Sequence, residues 1–135
     1  VLPLVLLVLV GCRGLDGTWT GDLLCLDDHR DTLDGTAMLI LDARGGSRFA
    51  GQLRAEGTDS STDGMQDMLL SWQLDLVAAA PTGQQGLDST VSDCRLYLDG
   101  YLADETCIEP NQRWTWDGAD GLSMSSYQCK ADLSR

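Results

Sequence analysis

Met68-Leu69-Leu70-Ser71-Trp72-Gln73-Leu74-Asp75-Leu76 decides the fold. Met68, Leu70, Trp72, Leu74 and Leu76 fall on one face of an extended chain, and Ser71, Gln73 and Asp75 on the other. A helix would scatter the same residues around its axis, so the stretch predicts a half-buried β-strand. Upstream, Gly45-Gly46 suits a hairpin turn into a third strand. That strand carries Phe49, Leu53 and Ala55 inward and Arg48, Gln52, Arg54 and Glu56 outward. Gly17 to Leu26 reads as the first strand, with Trp19, Leu23 and Cys25 on one face. Thr36 to Asp42 reads as the second, apolar on both faces. Gly57 to Gly64 is expected to be a polar loop, and Pro81 to Ser89 another, with room to act as a flap.

Downstream, Cys94 to Cys107 reads as a hairpin about Asp99-Gly100, a favoured two-residue turn. This register pairs Leu98 with Tyr101, Leu96 with Ala103 and Arg95 with Asp104. A further hairpin turns at Asp117 to Gly121, between Trp114-Thr115-Trp116 and the stretch from Leu122 to Cys129. The chain therefore reads as all-β. It predicts an antiparallel up-and-down meander of about eight strands, closed as a small barrel or, alternatively, folded as a β-sandwich.

Composition agrees. The 135 residues suffice for one domain, and Asp supplies 18 of the 21 acidic side chains alongside 15 Gly. Both residues favour turns over helices. The net charge of −12, with arginines scattered singly, excludes a nucleic-acid partner.

Residues Val1 to Val10 are aliphatic apart from Pro3. The run is shorter than the roughly 20 residues that span a bilayer, and has the length of a signal-peptide hydrophobic region. Leu9-Val10-Gly11-Cys12 follows directly and resembles the lipobox of bacterial lipoproteins. The resemblance implies cleavage before Cys12 and lipid on its thiol. It divides the chain into a signal peptide (1–11), a lipidated Cys with a short tether (12–16), and one disulfide-stapled β domain (17–135). It implies a place in the cell envelope, bound to a membrane by lipid. Arg13, rather than Asp, after the lipidated Cys favours the outer membrane.

Assigning Cys12 to lipid leaves Cys25, Cys94, Cys107 and Cys129 for two disulfides. Cys94–Cys107 with Cys25–Cys129 is the favoured pairing, because a closed barrel makes first and last strands neighbours. A Cys107–Cys129 bond is the alternative. Gly17-Thr18-Trp19 is similar to the Gly-x-Trp start of lipocalin-like proteins, and the hairpin with Phe49 and Gly51 looks like early strands of avidin-type barrels. The resemblance implies a small eight-stranded barrel that holds apolar or ring-bearing ligands.

Catalytic constellations are weak. The single His, His29, sits among Asp27, Asp28 and Asp31, and no nucleophile elbow or phosphate loop is present. The expectation is a non-enzymatic protein without a cofactor. Asp59, Asp63 and Asp67 fit part of an EF-hand-like calcium loop, but Leu70 stands where a bidentate Glu is needed. Two roles compete. The first is a structural domain with a filled core that docks to another envelope protein. The alternative is a barrel binding a small apolar ligand or glycan through Trp72, Trp114 and Trp116, the last two forming an outer patch if their strand face points outward.

Overall fold

The computed structural model describes residues 14–26, 32–61, 64–107 and 111–135. Nine strands follow in order: β1 Gly17–Leu26, β2 Thr32–Ala43, β3 Arg48–Ser61, β4 Gly64–Ala78, β5 Gln85–Leu98, β6 Tyr101–Asp104, β7 Arg113–Trp116, β8 Gly121–Ser125 and β9 Cys129–Ser134. All pairings are antiparallel. The order β4-β3-β2-β1-β9-β8-β7-β5 is closed by a β4–β5 pairing, so eight strands form a small barrel. β6 is an extra strand on the far half of β5. Closure decides against the sandwich: the β4–β5 pairing joins the ends of the sheet, and the interior is one shared face.

Alternation fills that interior. From β4, Met68, Leu70, Trp72, Leu74 and Leu76 point inward, as their spacing predicts. They meet Phe49, Leu53 and Ala55 of β3 and Trp19 and Leu23 of β1 in a single core. β2 is longer than expected and, as its sequence reads, apolar on both faces: Ala37, Leu39 and Leu41 are buried, whereas Met38 and Ile40 face outward. Small inward residues let the wall bend. A Cβ on Gly51 would lie 1.6 Å from the Ile40 carbonyl oxygen, and one on Gly57 would lie 2.5 Å from the Cα of its β2 partner Gly35.

Several expected boundaries move. The polar stretch from Gly57 to Gly64 is not a loop. β3 and β4 stay paired as far as Ser61 and Gly64, because a long hairpin satisfies backbone groups that a loop would leave to water. The Pro81–Ser89 loop ends early, since β5 starts at Gln85. The Gln85 side chain accepts from Ala80 N at 3.1 Å and donates to Ala80 O at 2.8 Å, which pins the turn rather than freeing a flap.

The Asp99-Gly100 turn has positive φ at both residues, 49° and 82°, as a two-residue turn of this kind requires. Leu98 pairs with Tyr101 as expected, but Leu96 pairs with Asp104 instead of Ala103 because the register slips at Leu96/Tyr97. A second irregularity lies between Ser71 and Gln73, where Asp93 and Cys94 together oppose Trp72 and Asp93 takes φ 46°. It turns Cys94 inward.

Both favoured disulfides are present. Cys25 and Cys129 are register partners on β1 and β9, with Cα atoms 4.0 Å apart. Cys94 and Cys107 join β5 to the segment after β6, with Cα atoms 5.1 Å apart.

Candidate functional site

The four tryptophans occupy the core. Trp72 is 4% exposed, Trp114 and Trp116 are 1% each, and Trp19 is fully buried. Trp114 and Trp116 thus face inward, and no outer aromatic patch forms from them. Their polar edges are satisfied inside: Trp19 Nε1 donates to Leu15 O (2.9 Å), Trp114 Nε1 to Gln112 Oε1 (2.9 Å) and Trp116 Nε1 to Ala119 O (3.0 Å). Packing and these bonds fix the indoles of Trp19, Trp114 and Trp116 in the core.

Asp59 and Asp67 lie in β3 and β4. Asp59 pairs with Gln66 and Asp67 with Thr58, so the two carboxylates belong to opposite faces of the ribbon and cannot converge on one ion. Asp67 is used structurally: its backbone N donates to Asp99 Oδ1, and its carbonyl accepts from Asp99 N, both at 2.9 Å. Asp63, His29 and Cys12 lie outside the described residues.

The residues that organise an accessible site are at the end where the chain enters the barrel. Gly14–Asp16, expected to be a tether, is packed. Leu15 is fully buried and plugs the barrel beneath Trp19. Arg135 clamps the segment. Its guanidinium lies 4.3 Å over the Trp19 ring and donates to the carbonyls of Gly14, Asp16 and Ala119. The same side chain reaches Asp120 Oδ1 at 3.3 Å and is only 7% exposed.

Beside this plug opens an apolar groove of about 430 Å³. Gly14, Phe49, Trp116 and residues 78–82 form most of its lining. Its rim is held by the Ala78 N bond to Ser47 O at 2.9 Å and by the close approach of Gly118 to Gly83. Neither Phe49 nor residues 78–82 stood out in the sequence as site residues. Their convergence depends on barrel closure, which no local pattern reports.

Comparison with family models, curated proteins and solved structures finds no match to this chain.

At the opposite end, a groove of about 380 Å³ is lined by residues including Glu56, Asp67, Met68 and Tyr97. Nearby, Asp104 Oδ1 accepts from Thr106 N (2.8 Å) and Thr106 Oγ1 (2.7 Å). These bonds favour the ionised carboxylate and hold its pKa below the ordinary aspartate value. The pair shapes the turn leading to Cys107.

Proposed function

We propose that the chain is a bacterial-type lipoprotein of the cell envelope, anchored at the outer membrane by lipid on Cys12. Its barrel serves as a non-enzymatic structural or protein-interaction domain. The observation that carries this reading is Leu9-Val10-Gly11-Cys12 immediately ahead of a folded domain. Four of the five cysteines are consumed by the two disulfides, which leaves Cys12 as the one thiol available for lipid. Those disulfides suit an oxidising compartment outside the cytoplasm. Thioether-linked diacylglycerol is a firm anchor, because each buried CH₂ contributes about 0.8 kcal/mol and two chains hold where one dissociates.

The packed interior supports the interaction role over a ligand carrier. An eight-stranded barrel of this size is filled by its own side chains, here with Trp19, Trp72, Trp114 and Trp116. The test is fractionation of cells expressing the Cys12→Ser chain. Release from the membrane fraction is the expected outcome; continued tight association with the outer membrane contradicts the anchor.

The groove of about 430 Å³ favours a second reading, in which a small apolar ligand binds at the barrel mouth rather than in its centre. Native mass spectrometry of gently purified Cys12→Ser protein separates the two. A retained small-molecule mass supports the ligand reading, and a bare chain supports the packed, docking domain.

A further inference from the structure

We infer that the end of the barrel bearing Gly14 lies flat against the phospholipid surface as a membrane-contact face, so that the domain stands upright on the bilayer. The inference rests on lipid at Cys12 and goes beyond it by fixing which face meets the membrane. Cys12 is two residues from Gly14, and two residues span about 7 Å at full extension. Gly14 is already held by Arg135, and Leu15 is fully buried. No slack remains to lift the domain away from a lipid on Cys12.

The surface brought down by this short connection suits a bilayer. Residues 79–84, Ala-Ala-Pro-Thr-Gly-Gln, are exposed and uncharged, and they stand beside the Gly45-Gly46 turn. The apolar groove opens between these two segments, beside Gly14. Acidic side chains stand at both ends of the barrel. Near Gly14, Arg44, Arg48 and Arg135 accompany Asp16, Asp42, Asp75, Asp88, Asp117 and Asp120, and Glu56, Asp59, Asp67, Asp99, Asp104 and Glu105 lie along the walls and the far end. The short connection at Gly14 and the uncharged stretch 79–84 beside it, rather than charge, turn this face down.

The experiment uses the full chain, processed and lipidated in cells and reconstituted into vesicles of phosphatidylethanolamine and phosphatidylglycerol. A nitroxide is attached at Ala80→Cys, and in a separate protein at Tyr101→Cys, on the opposite end. With Cys12 lipidated and the other cysteines paired, each variant has one free thiol. Thr82→Cys serves in the same way should Ala80→Cys misfold. Collision with an aqueous nickel chelate is expected to fall severalfold at position 80 on reconstitution and to stay unchanged at 101. A Gly/Ser insertion between Cys12 and Gly14 is expected to restore the collisions at 80.

The intact mass of the same sample reports the lipid. With lipid present on Cys12, aqueous collision rates at 80 equal to those at 101 overturn the contact face alone. A lipid-free Cys12 overturns the anchor and the contact face together.

Discussion

Arg135 does at the barrel's entry what a core residue does in its middle. It joins the first and last segments of the folded chain by stacking on Trp19 and bonding three backbone carbonyls. Charged hydrogen bonds contribute about 1.5–3 kcal/mol and a stacked guanidinium about 0.5–1 kcal/mol. Arg135→Ala should therefore lower unfolding free energy by roughly 2–4 kcal/mol, read from urea denaturation. Arg135→Lys should recover less than half, because an ammonium cannot reproduce the planar fork. Neither the role nor the partners of Arg135 are visible in the sequence, where it is a lone arginine with no periodic signal.

Asp104 gives a pH-dependent counterpart. Because its folded pKa is below the ordinary aspartate value, its contribution is fully present above that value and fades as pH falls through the depressed one. Asp104→Asn should lower Tm slightly in the neutral region, leave it nearly unchanged below the depressed pKa, and so flatten this acid limb of a Tm-against-pH curve. An unaltered acid limb would show that the Thr106 bonds carry no linkage.

At the scale of elements, the glycines on the inner wall set how closely β2 and β3 approach. Gly51→Ala would force a methyl against the Ile40 carbonyl. Overpacking of this kind costs about 1–3 kcal/mol. Gly86 has open space and an outward position, so Gly86→Ala should stay within about 0.5 kcal/mol of the parent. Denaturant midpoints of the two variants, measured side by side, check the contrast.

The cystines differ in the same spirit. Cys25–Cys129 closes a sequence separation of 104 and Cys94–Cys107 one of 13. On the chain-entropy model, double replacement by Ala should cost about 4.7 kcal/mol for the first and about 3 kcal/mol for the second. Equal losses would count against unfolded-state entropy as the source.

Much at this scale was legible. β4 is spelled out by its alternation, and the ends of β1 agree with Gly17 and Leu26. The misses have physical causes. Thr58-Asp59-Ser60-Ser61 has turn-forming side chains, yet hairpin pairing overrides that local preference. In β5, the bulge at Asp93 shifts the phase of alternation between Val91 and Cys94, and a strict period of two cannot be followed through it.

At the scale of the whole molecule, the neighbourhood of first and last strands was inferable because a meander of this length closes most economically on itself. The choice between barrel and sandwich was not inferable, since both use the same alternation. It is made by the β4–β5 pairing together with the β1–β9 register. The mouth groove was hidden for a related reason: Gly14, Phe49, Ala78 and Trp116 come from separate stretches that only closure assembles.

For a filled barrel stapled by two cystines, lipid on Cys12 is the central proposal. Its most direct test is the intact mass of the protein purified from the outer-membrane fraction. The account predicts a chain beginning at Cys12 that carries diacylglyceryl on its sulfur and lacks the hydrogens removed by two disulfides. A chain retaining residues 1–11 with a free Cys12 thiol would contradict it.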